Sequence, residues 1–189
     1  MRVCVFCSSS DAVDGMYVDK ARRLGALLAR GGHVLVYGGA ATGLMRAVAE
    51  GAVEHGAHVL GIMPRAMVEY GLAFDGLDQL VVTETMAERK AEMERQADAF
   101  IVLPGGFGTL EELFQVLVEK QLGVIQAPVL LVNLYAYWGK LLDVMEQIYS
   151  LKFAKEDFRA LYEVCEDVDD AVARLSEPGI HRKLPPKWF

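Results

Sequence analysis

Short apolar runs alternate with segments of helical periodicity along the chain, and no other feature constrains the fold as tightly. Val3–Cys7, His33–Tyr37, Ala57–Met63, Asp98–Leu103 and Pro128–Asn133 read as strands, with shorter ones near Leu80–Thr83 and Tyr162–Cys165. Between them lie helical patterns at Tyr17–Arg30, Thr42–His55, Glu84–Ala97, Thr109–Leu122, Tyr137–Tyr149 and Val168–Leu175. The first shows the spacing plainly, with Val18, Ala21, Leu24, Leu27 and Leu28 on one face and Gly31-Gly32 as its stop. Residues 65–83 are less regular and read as a loop that carries the Leu80–Thr83 strand. Strands alternating with helices of this length make βαβ units, whose sheets are parallel and covered on both sides. Val34-Leu35-Val36, Phe100-Ile101-Val102-Leu103 and Val129-Leu130-Leu131-Val132 lack a polar face, as strands buried between two helical layers do. The expected fold is α/β: a doubly wound, mainly parallel sheet with helices on both faces. A chain of 189 residues suits one such domain, here residues 1–180. The tail His181–Phe189, with two prolines and three basic residues, reads as irregular.

Charge and cysteine usage narrow the partners. The chain carries 19 basic and 26 acidic side chains, a net charge of −7, which disfavours nucleic acid and anionic membrane surfaces as partners. There is no signal-peptide pattern and no apolar run approaching the ~18 residues of a membrane span. Three cysteines, Cys4, Cys7 and Cys165, suit a reducing cytoplasm. Cys4 and Cys7 have metal-ligand spacing, but on a strand residues three apart face opposite sides, so they read as buried thiols. His33, His55, His58 and His181 fall into no ligand cluster, and neither a metal nor a cofactor is expected.

The chemistry should lie beyond the carboxyl ends of the strands, where glycine-rich turns lead into helix N-termini. Three such turns occur: Cys7-Ser8-Ser9-Ser10, Tyr37-Gly38-Gly39-Ala40-Ala41-Thr42-Gly43 and Pro104-Gly105-Gly106-Phe107-Gly108-Thr109. Together they point to a phosphate-bearing ligand. A P-loop is absent, and Gly38–Gly43 does not form the dinucleotide fingerprint, with Met63-Pro64-Arg65 where a ribose-binding acid would stand. In the third turn, Thr109 and Glu112 have the T-x-x-E spacing of a capping box, so Thr109 is open to two readings, helix cap or phosphate ligand. Upstream, Glu84–Arg95 reads either as a solvated helix or as a helix that carries Arg89 over the same sheet edge, where its guanidinium suits phosphate or ribose oxygens.

Pro104-Gly105-Gly106-Phe107-Gly108-Thr109-Leu110-Glu111-Glu112 matches P-G-G-x-G-T-x-x-E, and Met86-x-x-Arg89-Lys90 matches its partner motif. With Val5–Ser10, Tyr37-Gly38-Gly39, Gly43-Leu44-Met45 and Gln121-Leu122-Gly123, the chain resembles the LOG family of cytokinin riboside 5′-monophosphate phosphoribohydrolases, often mislabelled lysine decarboxylases. The resemblance implies a Rossmann-like sheet, a homodimer with the site near its interface, and cleavage of the N-glycosidic bond of an N6-modified adenosine 5′-monophosphate or of AMP. By motif position it makes Arg89 and Glu112 the catalytic pair. Ser8, Gly39, Gly43, Met86, Lys90, Gly105, Gly106, Gly108 and Thr109 become substrate-binding positions. Three departures from the family pattern bear on substrate preference: Ser8 follows Cys7, and Ala40 and Arg46 replace glycines, Arg46 adding a cation near the expected site. Glu112 is then the carboxylate that stabilises positive charge near C1′ or takes a proton from the attacking water. Arg89 either holds phosphate or ribose or neutralises charge on the departing purine. A non-catalytic nucleotide-binding module, or a carrier like the molybdenum-cofactor carriers of this fold, is the alternative.

Overall fold

The central strand of the sheet is the first one made, β1 (Arg2–Phe6), and the chain winds away from it in both directions. The computed structural model describes residues 1–177; the expected tail 181–189 lies outside the described residues. Beyond β1 come α1 (Gly15–Arg30), β2 (Val34–Tyr37), α2 (Gly43–Glu54), β3 (Val59–Pro64), α3 (Arg65–Glu69) and β4 (Gln79–Thr83). α4 (Met86–Gln96) then carries the chain back across the sheet to β5 (Ala99–Val102), which pairs with the free side of β1. α5 (Phe107–Leu122), β6 (Val129–Val132), α6 (Gly139–Ser150), β7 (Glu163–Cys165) and α7 (Val168–Arg174) complete the second half. The strand order is β4-β3-β2-β1-β5-β6-β7, and all six pairings are parallel. The order reverses between β1 and β5, which leaves a crevice there at the carboxyl edge of the sheet.

Alternation along each strand divides the core into two layers. Val3, Val5, Leu35, Tyr37, Ile101 and Leu130 pack with α1, α2 and α7 on one side. Cys4, Phe6, Val36, Phe100, Val102 and Leu131 pack with α4, α5 and α6 on the other. Cys4 and Cys7 fall into opposite layers, and all three cysteines are buried and free. The expected doubly wound α/β architecture is the one observed. Among the described residues no helix is long and apolar enough to cross a membrane.

Four elements differ from the sequence expectation. Residues 65–78 are tied down: α3 opens this segment, Ala40 and Ala73 form an antiparallel bridge, and Phe74 N–H donates to the Gly39 carbonyl. α5 begins at Phe107, two residues before the expected start, with Gly106 as N-cap. Thr109 is therefore inside the first turn, and of its two readings the Thr109–Glu112 capping box does not form. α4 begins at Met86 and does carry a side-chain cap, with Thr85 Oγ1 accepting from Glu88 N–H at 3.1 Å while Glu88 accepts from Glu84 N–H at 2.9 Å. The expected Tyr137–Tyr149 helix begins only at Gly139. Before it lies a 3-10 turn, Leu134–Ala136, in which Tyr135 and Ala136 both have left-handed φ, 52° and 59°.

Candidate active site

The crevice between β1 and β5 opens into a cavity of about 430 Å³, walled by the first and third turns, by Gly38 and Ala40 of the second, and by residues of α3, α4 and α5. Arg89 and Glu112 meet at this cavity. Arg89 comes from the second turn of α4 and Glu112 from the second turn of α5, and the two helices lie on the same face of the sheet. Arg89 Nη1 donates to Glu112 Oε1 at 3.0 Å, and both side chains are almost wholly buried. The guanidinium has a second anchor, since Arg89 Nε donates to the Ile62 carbonyl at 3.1 Å at the end of β3. Its other edge lies against Gly38, where a Cβ would stand 2.0 Å from Nη2. Gly38 thus makes room for the guanidinium, a reason for a glycine that only the tertiary structure shows.

Burial pushes the Glu112 carboxyl above its ordinary range, and the Arg89 charge and hydrogen bond pull the other way without cancelling it. A buried charge pair of this kind is a poor source of stability, because desolvation offsets most of its Coulombic gain. It is better explained as the feature the cavity was built around.

The cavity rim includes the N-terminus of α5. Gly106 caps α5 with no side chain to accept from the first-turn N–H groups, and no acidic residue lies in that turn. Those N–H groups have no intrahelical acceptor. Gly106, Phe107, Gly108 and Thr109 all line the cavity, so the positive end of a sixteen-residue helix faces it. Thr109 is buried, and its side chain lies over Gly105, where a Cβ would come within 2.1 Å of Oγ1. The lining also holds the apolar side chains of Met45, Met67, Leu72, Met86 and Met93.

Of the residues singled out from sequence, Ser8, Met86, Gly106, Gly108, Thr109, Arg89 and Glu112 line this cavity. Ser8 also braces it: its N–H donates to the Pro104 carbonyl at 3.2 Å and its carbonyl accepts from Leu44 N–H at 2.9 Å, linking the first turn to the third and to α2. Gly39, Gly43, Gly105 and Lys90 do not line it. Gly39 has φ 78° and its carbonyl holds Phe74. Gly43 has φ 53° and sits where a Cβ would meet the Ser10 carbonyl oxygen at 2.6 Å, and its N–H donates to Asp11. Lys90 pairs instead with Glu111 of α5. Arg46, expected near the site, does not line the cavity and pairs with Asp11 and Glu50. Met45, Met67 and Leu72 were missed, because they reach the cavity only through α2 packing and the tied segment 65–78. Among the described residues no cluster of His, Cys, Asp and Glu has the geometry to hold a metal ion.

Residues 45–175 match the family model described as "Possible lysine decarboxylase". The chain is 39% identical over 174 residues to a cytokinin riboside 5′-monophosphate phosphoribohydrolase of Arabidopsis thaliana, covering 92% of this chain and 76% of that one. It is 38% identical over 176 residues to the rice enzyme of the same name, LOG, from Oryza sativa subsp. japonica, covering 93% and 73%. Among solved structures, the molybdenum cofactor carrier protein of Chlamydomonas reinhardtii superposes with a TM-score of 0.70 at 22% identity, covering 92% of this chain and 94% of that one. The molybdenum cofactor binding protein of Rippkaea orientalis gives the same TM-score at 21% identity, with the same coverage. At that identity the two structures speak for the fold alone.

Proposed function

We propose a specific reaction for this site from the premise that the chain belongs to the LOG family, whose named relatives are phosphoribohydrolases. The reaction is hydrolysis of the N-glycosidic bond of adenosine 5′-monophosphate or its N6-substituted forms, giving the free base and ribose 5-phosphate. The single observation that carries it is the juxtaposition of a buried Arg89–Glu112 pair with the uncapped N-terminus of α5 in one cavity.

The 5′-phosphate belongs on the Gly106–Thr109 N–H groups, where the helix dipole and the unpaired donors favour it. Binding energy gathered there is remote from the bond that breaks and fixes C1′ relative to Glu112. As the C1′–N9 bond breaks, its electron pair leaves with the base and positive charge spreads over the ribose ring. Among the described residues Glu112 is the one carboxylate lining the cavity, and as an anion it stabilises that charge or takes the proton from the water that bonds to C1′. The departing base takes up a proton in turn. Arg89 is held at two points, by Ile62 and Glu112. That tether suits a group that orients the carboxylate and keeps it ionised better than one that travels with a phosphate. The apolar side chains of Met45, Met67, Leu72 and Met86 in the lining suit a substituted base. The same reading carries the homodimer and cytoplasmic setting, with which three free cysteines accord.

Purified protein incubated with AMP or isopentenyladenosine monophosphate should release free base, detected by chromatography, and Glu112→Gln should slow the release about a hundredfold or more. Tight nucleotide binding without any base release would replace this reading with a carrier or sensor.

A further inference from the structure

Behind the third glycine turn lies a second, smaller cavity of about 240 Å³, lined by Val13, Asp14, Tyr17, Gly105 and Tyr137 among others, and sharing Ser8 and Gly106 with the main one. Into it runs a contact that the reaction above does not use. The Tyr137 hydroxyl donates to the Gly105 carbonyl at 2.7 Å. Tyr137 is itself set in place by an unusual stretch of backbone, because Tyr135 and Ala136 both adopt left-handed φ immediately before it. Consecutive non-glycine residues in that region are uncommon and persist only where the surroundings over-determine them. Here the Tyr137 ring packs edge-on against Tyr17, with centroids 6.1 Å apart, and against Trp138 at 4.7 Å. Trp138 is buried, and its backbone N–H donates to Asn133 Oδ1 at 2.7 Å.

The consequence lies in the peptide between Gly105 and Gly106. A trans peptide points its carbonyl and its N–H in opposite directions, and the described residues contain no cis bond. Holding the Gly105 carbonyl on the side of the small cavity therefore turns the Gly106 N–H away from that cavity, on a residue that also lines the main one. A bond between two glycines meets the least steric resistance to flipping, and a flipped peptide would present a carbonyl oxygen to an anion instead of a donor. We propose that Tyr137 is a positioning residue that locks this peptide with its N–H toward the substrate's phosphate. The inference rests on the phosphate placement proposed above, and it extends the site to a residue that touches neither the substrate nor the Arg89–Glu112 pair.

Tyr137→Phe removes the hydroxyl and keeps the ring contacts, so the fold should survive with little change in melting temperature. Calorimetric titration of the full chain with AMP and with adenosine, beside base-release kinetics, separates the possibilities. AMP should bind about fivefold to tenfold more weakly to the variant, with KM for AMP raised alike, as expected for losing one hydrogen-bonded constraint. Adenosine affinity should hold within about twofold, since adenosine makes no phosphate contact. Unchanged AMP affinity, or equal weakening of AMP and adenosine, would overturn the lock. Absence of base release by the unsubstituted protein would overturn the proposed reaction instead, and the AMP-to-adenosine ratio would still decide the role of Tyr137. An unsubstituted protein that does not bind AMP at all would overturn both.

Discussion

Two opposed influences act on Glu112, and their balance has a measurable sign. Burial raises its pKa, the Arg89 charge lowers it, and burial wins, leaving it above its ordinary 4.5. The folded chain therefore binds this proton more readily than the unfolded one. Stability associated with Glu112 is present at low pH and is lost as pH rises through the raised value. Activity runs the other way, since only the ionised carboxylate can stabilise C1′ or accept a proton from water. We predict that kcat/KM for AMP falls on acidification with a midpoint above 4.5, and that Glu112→Gln costs about a hundredfold or more in turnover while leaving AMP binding nearly intact. An acid limb centred at or below 4.5, or a Gln variant with near-normal turnover, would remove Glu112 from this role.

Helix–helix contacts set how closely the α1–α2 layer can lie, and glycine decides it at two points. A Cβ on Gly25 of α1 would stand 2.1 Å from the Val48 carbonyl oxygen, and one on Gly51 of α2 would stand 2.0 Å from that of Arg22. Both obstacles are backbone, so neither can swing aside. Gly51→Ala should accordingly destabilise the protein by about 2 kcal/mol or more, despite alanine's better helix propensity, through overpacking that pushes the helices apart. Thermal or urea unfolding checks this, and a stabilised variant would show that the layer yields. Most elements of this kind were legible from pattern alone, because the buried parallel strands have no polar face and the helices keep their spacing. The failures were local contests between signals. T-x-x-E occurs at Thr85–Glu88 and at Thr109–Glu112, and only the first acts as a cap. At the second, the helix has already begun at Phe107 behind the Gly106 cap, so Thr109 is free to face Gly105 and the cavity. Segment 65–78 was opaque because its order comes from pairing with the second glycine turn, at Ala40–Ala73, rather than from its own periodicity. The site followed suit: Arg89 and Glu112 stand in motifs, whereas Gly38, Met67 and Leu72 matter only after the chain has brought distant turns together.

At the scale of the whole molecule, α5 is apolar on two sides where covering a sheet needs only one. Leu113, Val116 and Leu117 face the core, while Phe114, Val118 and Leu122 recur every four residues on the outer side and remain exposed, with Val124 just beyond the helix. Phe107, 92% exposed, continues the patch to the rim of the cavity. An apolar stripe along a helix can meet its own copy across a two-fold axis, each residue burying its equivalent, and such an isologous contact closes at two subunits. The dimer carried by the proposed function therefore has a place to form, and the place adjoins the site because the helix that would join the subunits also carries Thr109 and Glu112. We predict that the protein migrates in solution at twice its 20.8 kDa chain mass. Val118→Glu, at the centre of the stripe and outside the cavity lining, should halve that mass, since an unpaired carboxylate buried in the contact costs more than the contact returns. Light scattering on both proteins decides it. A monomeric parent, or a variant that stays dimeric, would assign the stripe to something other than self-association. A monomeric variant that keeps full base release would separate the dimer from the chemistry, and one that loses it would mean that the rim of the cavity is held in shape by the partner helix across the axis.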